Sequence, residues 1–314
     1  MKIEARIFEG RCPSCSAELT ALKLPDTAFC PYCAKPLTEQ ATEPEIEPVV
    51  SDSDPAPQPV EPPRPIPSTN PVHFEISVSG VLTKYKGNDQ NIAIPSSVKR
   101  IGWMAFEKCS ILTSVVIPDS VTNIGWWAFS LCTNLTSVTI PSSVTKLGAC
   151  AFYGCKSLTS ITIPDSITSI RSSAFSCCSS LASVTLPNSL TSIMAYAFYG
   201  CERLTSVTLP NSVASIKGRS FENCKSLTSI NIPASVTKIG KRAFKQCESL
   251  ISVTIPASVT SIGENAFSGC NRLSTLHLPR EAEKPKTKEM KAFAKMIKKA
   301  FPNKKSPVRV YDLD

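Results

Sequence analysis

Apolar positions recur every 23 residues between residues 95 and 278, in eight consecutive units. In each unit a leucine is followed three positions later by an aliphatic residue, and a second aliphatic residue comes two positions after that. These last two, such as Val138 and Ile140, have the spacing of a strand that buries one face. A proline follows every such pair, and proline has no N–H to donate to a sheet ladder. The pattern predicts one short parallel strand per unit and a solenoid whose stacked units share a core.

The remainder of each unit leads the chain back to the next strand and has apolar positions of its own. In one unit these are Val121, Ile124, Ala128 and Phe129, and phenylalanine holds the last position in all eight units. We expect short turns or helical segments on this side of the solenoid. The repeats are assigned to residues 95–279.

Serine recurs at the second position after each proline, without interruption. The column comprises Ser97, Ser120, Ser143, Ser166, Ser189, Ser212, Ser235 and Ser258. A short hydroxyl can bond backbone groups that water does not reach inside a stacked turn, so a structural role is expected. No histidine or aspartate recurs beside these serines, which argues against nucleophilic catalysis.

Eight of the fourteen cysteines also follow the 23-residue period. They are Cys109, Cys132, Cys155, Cys178, Cys201, Cys224, Cys247 and Cys270. We interpret them as small buried residues, because parallel side chains in a regular column rarely reach the torsion of a disulfide. Disulfides between neighbouring turns are the alternative. Cys150 and Cys177 lie outside the column and are interpreted as incidental.

A unit such as P-D-S-V-T-N-I-G-W-W-A-F-S-L-C-T-N-L-T-S-V-T-I resembles the leucine-rich repeats of the BspA-like bacterial class. The resemblance implies a curved solenoid with a parallel sheet on one face. Members of this class are often surface or host-contact proteins. Arg171, Met194 and Lys217 stand where the class has glycine, and Ser220 replaces an alanine. Residues 73–94 look like the strand-rich N-terminal cap of such arrays.

The first 38 residues contain two C-P-x-C motifs separated by fourteen residues. The four cysteines are Cys12, Cys15, Cys30 and Cys33. This spacing predicts a structural Zn²⁺ site with four thiolate ligands, similar to a bacterial zinc ribbon. The metal would supply the folding energy that so short a segment lacks. A redox dithiol or two disulfides are the alternatives, whereas four thiolates leave no open position for a catalytic zinc.

The segments that flank the repeats differ sharply in charge. Residues 39–72 contain ten prolines, seven acidic residues and a single base, which predicts a disordered linker. Residues 280–314 are basic, and the apolar spacing over 286–301 predicts an amphipathic helix, followed by a strand at 308–311. We expect this helix and strand to form a C-terminal cap, because a solenoid must cover its open end. Binding of the basic helix to a membrane or to nucleic acid is the alternative.

The start of the sequence has no apolar core of a signal peptide, and no segment has 18 successive apolar residues. Zinc thiolates favour a reducing compartment. We therefore predict a cytoplasmic protein without a transmembrane segment.

The two positions before each Ala-Phe pair vary most among the units, and all three tryptophans fall there. The candidate partner-binding residues are Trp103, Trp126, Trp127, Tyr153 and Tyr199. A candidate basic patch comprises Lys217, Arg219, Lys241, Arg242 and Lys245. Exposed aromatic residues are typical of binding hot spots. The alternative for the tryptophans is packing beneath the N-terminal cap.

These features favour a non-enzymatic protein-interaction scaffold of bacterial leucine-rich-repeat type. A nucleic-acid-associated protein that uses the zinc ribbon and the basic residues is one alternative. An exported adhesin, suggested by the family resemblance, is another. The chain has two histidines, His73 and His277, at opposite ends of the repeats, and no phosphate loop or paired carboxylates. We therefore expect neither catalysis nor a small-molecule substrate.

Overall fold

The computed structural model describes residues 6–11, 18–24, 70–279 and 309–313. The chain divides into two units, Met1–Pro62 and Pro63–Asp314. In the first unit, strands β1 (Arg6–Arg11) and β2 (Glu18–Leu24) pair antiparallel. The four cysteines of the predicted zinc site, nearly all of the predicted linker and the predicted helix over 286–301 lie outside the described residues.

The described part of the second unit begins with a short 3₁₀ turn (Pro71–His73) and an antiparallel hairpin of β3 (Phe74–Ile76) and β4 (Val81–Tyr85). Strand β4 also pairs in parallel with β6, so the hairpin continues directly into the repeats. The buried ring of Tyr85 lies between Phe74 and Phe106, with centroid distances of 5.2 and 5.4 Å. These rings cover the first turn of the core.

The first ladder consists of one parallel strand from each turn. Its members are β5 (Asn91–Ala93), β7 (Ser114–Val116), β9 (Ser137–Thr139), β11 (Ser160–Thr162), β13 (Ser183–Thr185), β15 (Ser206–Thr208), β17 (Ser229–Asn231), β19 (Ser252–Thr254), β21 (Thr275–Pro279) and β22 (Arg309–Leu313). The central residue of each three-residue strand points inward and its neighbours point outward, which confirms the alternation predicted from the sequence. The predicted strand at 308–311 is present as β22, which pairs in parallel with β21.

A second ladder runs along another side of the solenoid. It consists of β6 (Arg100–Ile101), β8 (Asn123–Ile124), β10 (Lys146–Leu147), β12 (Ser169–Ile170), β14 (Ser192–Ile193), β16 (Ser215–Ile216), β18 (Lys238–Ile239) and β20 (Ser261–Ile262). The prediction of one strand per unit was therefore wrong, because each unit forms two. A two-residue strand is too short to leave an alternating pattern in the sequence.

The third side, which we call the turn side, is built from turns, and the described residues contain no α-helix there. Backbone bonds join successive turns on this side: Phe129 N–H donates to the Ala151 carbonyl at 2.8 Å, and Phe152 N–H donates to the Ala174 carbonyl at 2.9 Å. The same bond recurs in each turn from Phe106 to Phe244.

Eight phenylalanine rings, from Phe106 to Phe267, form the centre of the core. Neighbouring rings are stacked with centroid distances of 4.8 to 5.6 Å and nearly parallel planes. All eight are at least 98% buried. Each turn therefore contributes one ring to a continuous apolar column, as the recurring phenylalanine predicted.

The serine column binds the backbone from within, as the sequence predicted. Seven hydroxyls, from Ser120 to Ser258, donate to the carbonyl 22 residues earlier at 2.6 to 3.1 Å. The cysteine column has an equivalent role. Seven thiols, from Cys132 to Cys270, are buried and form no disulfide, and each donates to a phenylalanine carbonyl 26 residues earlier at 3.1 to 3.2 Å. These cysteines are thus hydrogen-bond donors as well as small buried residues.

Both ladders are interrupted between the same two turns. The first ladder separates between β9 and β11, and the second between β10 and β12. The first ladder separates once more between β13 and β15. Within the described residues, no helix is long and apolar enough to cross a membrane.

Candidate partner-binding edge

The variable positions predicted from the sequence lie on the turn side, beside a residue in the left-handed conformation. In each of the eight turns the residue before Ala-Phe, or Ser-Phe, has a φ of 55 to 60°. No glycine occupies this column, although glycine adopts this conformation with least strain. The residue just before it faces solvent in the first two turns, where it is Trp103 or Trp126.

Trp103 and Trp126 are each 65% exposed. They therefore do not pack beneath the N-terminal cap, where Phe74 and Tyr85 cover the core instead. Trp127 is half-buried, and its ring contacts that of Tyr153 with centroids 5.8 Å apart. Two exposed indoles in adjacent turns thus lie next to a more buried aromatic pair.

Further along the same side, Tyr196 and Tyr199 form a second aromatic pair with centroids 5.8 Å apart. Tyr196 is 36% exposed, and the guanidinium of Arg219 lies 5.2 Å from its ring centroid, which is a cation–π contact. The Asn223 side chain donates a hydrogen bond to the Tyr199 hydroxyl at 3.2 Å. Tyr196 was not among the predicted partner-binding residues, although it holds the position of Trp127 three turns later.

Tyr153 lies near two cysteines outside the buried column. The neighbouring Cys177 thiol and burial raise the pKa of Tyr153 above its ordinary value, with a smaller contribution from Cys150. Both cysteines are half-buried and have positive φ. The phenol of Tyr153 therefore stays protonated, and it lies beside the half-buried thiols of Cys150 and Cys177.

The five residues of the candidate basic patch follow the aromatic residues along the chain, and acidic residues offset part of their charge. Glu222 is buried, with Arg219 Nε 3.7 Å and Lys245 Nζ 3.4 Å from its carboxylate oxygens. Lys241 Nζ lies 2.8 Å from a carboxylate oxygen of Glu264. Lys217 and Arg242 complete the candidate patch, in which three of five cations are thus paired.

The outward positions of the three-residue strands, which make up the strand face, are mostly serine and threonine. Just before two of these strands, Thr136 donates to the Thr113 carbonyl at 3.0 Å, and Thr228 donates to the Thr205 carbonyl at 3.1 Å. Val116 is the only exposed large apolar side chain on the described three-residue strands. This face therefore offers hydroxyl groups but little apolar area to a partner.

The two histidines are far from one another. His73 Nδ1 lies 2.9 Å from a carboxylate oxygen of Asp89, which also accepts a hydrogen bond from the Tyr85 hydroxyl at 2.9 Å. His277 lies on β21, next to Thr254 in the register of the ladder. Among the described residues, no group of three or more His, Cys, Asp or Glu side chains could hold a metal ion.

Stacked turns with aliphatic strands, buried phenylalanines and one cysteine per turn define a leucine-rich repeat solenoid. Residues 84–204 and 191–304 match the family model described as BspA type leucine rich repeat region, in six copies. The chain belongs to this family, because the match covers more than half of its length.

Several solved structures are similar to the chain. A leucine-rich repeat protein of T. pallidum is 30% identical over 64% of this chain and 88% of that one, with a TM-score of 0.46. A leucine rich cell surface protein of Faecalibacterium prausnitzii is 27% identical over 66% and 86%, with a TM-score of 0.35. A leucine-rich repeat protein of Eubacterium ventriosum is 27% identical over 64% and 51%, with a TM-score of 0.48. No curated protein matches the chain.

Proposed function

We propose that this chain is a non-enzymatic protein-interaction scaffold, and that a protein partner binds along its aromatic edge. The aromatic edge comprises Trp103, Trp126, Trp127, Tyr153, Tyr196 and Tyr199. The observation that carries the proposal is the 65% exposure of Trp103 and of Trp126 in adjacent turns. Leucine-rich repeat proteins typically bind proteins, and the family membership supports the same class of function.

The position of the edge suits a binding hot spot. Tryptophan, tyrosine and arginine dominate the binding energy of protein interfaces, and all three occur here. The backbone beneath them is held by the regular bonds of the turn side, such as Trp127 N–H to the Ala149 carbonyl at 3.1 Å. Little conformational entropy is therefore lost when a partner covers these rings.

Affinity capture with the full chain tests the aromatic edge. The variant Trp103→Ala/Trp126→Ala removes both exposed rings, and Val116→Thr is the matched control because it removes an exposed apolar side chain from the strand face. We expect a defined protein to be retained from nuclease-treated lysate by the wild type and the control, and to be lost with the double variant. Recovery that depends on nucleic acid and is indifferent to the tryptophans would favour the nucleic-acid alternative.

Structural zinc in the N-terminal unit is also proposed, with Cys12, Cys15, Cys30 and Cys33 as ligands. The antiparallel pairing of β1 with β2 supports this, because the segment between the two strands carries the first cysteine pair. Four thiolates form the usual ligand set of a closed tetrahedral site. Metal analysis of the purified chain is expected to give one zinc per chain, and Cys30→Ser/Cys33→Ser is expected to remove it, whereas Cys150→Ser/Cys177→Ser keeps it.

A reducing, cytoplasmic compartment is proposed as well. Cys150 and Cys177 are free, half-buried thiols, which supports a compartment where thiols persist. Fractionation of the native cell tests this, and recovery of the chain at the cell surface would contradict it and favour the adhesin alternative.

A further inference from the structure

The second ladder lacks two backbone hydrogen bonds at one step. Thr145 N–H donates to the Thr122 carbonyl, and Thr191 N–H donates to the Thr168 carbonyl, each at 2.9 Å. The equivalent bond from Thr168 to Thr145 is not formed between these described residues.

The second missing bond lies three residues further along each turn. Gly148 N–H donates to the Ile124 carbonyl at 2.9 Å, and Met194 N–H donates to the Ile170 carbonyl at 3.0 Å. The corresponding pair, Arg171 N–H and the Leu147 carbonyl, is not bonded within the described part of the chain. The step therefore leaves two N–H donors on one turn facing two carbonyl acceptors on the turn before it.

A change in the glycine column explains the interruption. Successive glycine turns approach so closely that a Cβ on Gly148 would lie 2.5 Å from the backbone of Gly125. Arg171 is the first residue of this column with a side chain, so its turn cannot approach Gly148 in the same way. The next turns, with Met194 and Lys217, form the ladder bond again. The gap therefore lies where the column changes from glycine, in the turn of Gly148, to residues with side chains, which begin at Arg171.

The gap opens into a cleft of about 400 Å³. Its lining residues include Lys146, Arg171 and Trp126 and no acidic residue. Both cations are exposed, and neither forms an ion pair within the described part of the chain. The volume lies within the range of ligand-binding pockets.

We propose that this cleft binds an acidic peptide segment in extended conformation. Lys146 and Arg171 bind its carboxylates, and Trp126 forms the apolar wall of the cleft. The free N–H groups of Thr168 and Arg171 donate hydrogen bonds to its backbone carbonyls, in the manner of strand addition to an open sheet edge.

The unpaired carbonyls decide between a peptide and a nucleic acid. The carbonyls of Thr145 and Leu147 require donors, which a peptide backbone supplies with its N–H groups and a phosphodiester backbone does not. The positive charge of Lys146 and Arg171 alone would attract an acidic peptide and a nucleic acid alike. Binding at the cleft does not depend on the aromatic edge, with which it shares only Trp126, so the variants that test it leave the tryptophans intact.

Calorimetric titration of the full chain with N-acetyl-hexaglutamate amide tests the cleft. We expect Lys146→Ala and Arg171→Ala each to weaken binding about tenfold, because each removes hydrogen bonds to a charged group. The matched controls are Lys238→Ala and Arg100→Ala, which remove cations from the column of Lys146 at turns where the ladder is continuous. The controls are expected to bind within about twofold of the wild type, since exposed charges contribute little.

Amide hydrogen exchange gives a second measurement, because attraction between opposite charges does not by itself protect the amides of Thr168 and Arg171. Without peptide, the amides of Thr168 and Arg171 are expected to exchange faster than those of Thr191 and Met194. Hexaglutamate is expected to slow exchange at the first pair. Absence of binding, absence of this protection, or equal losses in the control variants would overturn the assignment. Tighter binding of the oligonucleotide dT6 at the same residues would replace it with a nucleic-acid site.

Discussion

Two columns of repeated side chains, the serines from Ser120 to Ser258 and the cysteines from Cys132 to Cys270, bind backbone carbonyls of a neighbouring turn. Serine hydroxyls donate to carbonyls that accept no backbone bond, such as that of Leu190. Cysteine thiols donate to phenylalanine carbonyls that also accept a backbone N–H, such as Cys201 N–H to the Phe198 carbonyl at 3.3 Å. An unsatisfied buried carbonyl costs about 1 to 3 kcal/mol, which accounts for the regularity of the serine column.

A single serine in the column is expected to make a measurable contribution to stability. Ser212→Ala removes the bond to the Leu190 carbonyl at 2.6 Å and is expected to lower the free energy of unfolding by about 1 kcal/mol. Ser229→Ala, on the exposed face of β17, serves as the control and is expected to change it by less than about 0.5 kcal/mol. Urea denaturation measures both, and equal effects would contradict the assigned role.

The buried thiols are expected to resist alkylation at alkaline pH. Burial raises the pKa of the Cys201 and Cys224 thiols well above the ordinary value, so the reactive thiolate stays scarce in the folded state. Iodoacetamide at pH 9, followed by peptide mass mapping, is expected to label the half-buried Cys150 and Cys177 and to leave the column unlabelled until the chain unfolds. Labelling of the column in the native state would show that the stack opens readily.

The same shift makes stability depend on pH. Above pH 9 the unfolded thiols ionise, whereas the folded ones keep their protons, so the folded state binds more protons than the unfolded state. This contribution to stability is complete below pH 9 and is lost as the pH rises. The urea midpoint is therefore expected to fall between pH 8 and pH 10, and a midpoint that rises over this range would contradict the burial of the column.

At the scale of the element, close backbone approach and ring stacking hold each strand in place. The two-residue strands of the second ladder contribute few bonds individually. Glycine brings successive turns together where it can, and the ladder opens where Arg171 follows Gly148. A strand of this ladder thus depends on its neighbour as much as on its own residues.

Glycine in this column is expected to tolerate no added methyl group. A Cβ on Gly125 would lie 2.6 Å from the Gly102 carbonyl oxygen, so Gly125→Ala is expected to cost about 1 to 3 kcal/mol. Gly218→Ala is the control, because a Cβ on Gly218 would come no closer than 3.2 Å to another atom, the Lys241 carbonyl oxygen. Thermal unfolding compares the two variants, and an unchanged Gly125 variant would show that the turns can move apart without cost.

At the scale of the whole molecule, the described turns pack mainly against their immediate neighbours. Each phenylalanine from Phe129 to Phe244 stacks on the ring before it and on the ring after it. The stability of such a stack is close to a sum of repeat and interface contributions. The interrupted step is then a local feature, because the turn side continues across it through bonds such as Cys150 N–H to the Ser172 carbonyl.

Double variants in the phenylalanine column test this description. Phe129→Leu and Phe244→Leu lie five turns apart, and their effects on the free energy of unfolding are expected to add within about 0.5 kcal/mol. Phe221→Leu and Phe244→Leu involve rings 5.4 Å apart and are expected to deviate from additivity by about 0.5 kcal/mol or more. Coupling between the distant pair would indicate cooperativity beyond nearest neighbours.

The 23-residue period predicted the solenoid, the first ladder, the phenylalanine column and the role of the serines. Every turn meets the same environment, so a residue that one turn requires recurs in all of them and is visible as a column. The candidate edge was predicted for a related reason. Trp103, Trp126 and Trp127 occupy positions that vary from unit to unit. Such variable positions are where one repeat protein can differ from another in what it binds.

The second ladder, the pairing of the cations with Glu222 and the cleft beside Arg171 were not predicted. Each depends on distances between turns rather than on the residues of one turn. Two-residue strands leave no periodic pattern, and the environment of a glutamate depends on which cations reach it from the next turn. The same substitution of glycine breaks the ladder at Arg171 and not at Met194, because the outcome depends on how closely the preceding turn has already packed.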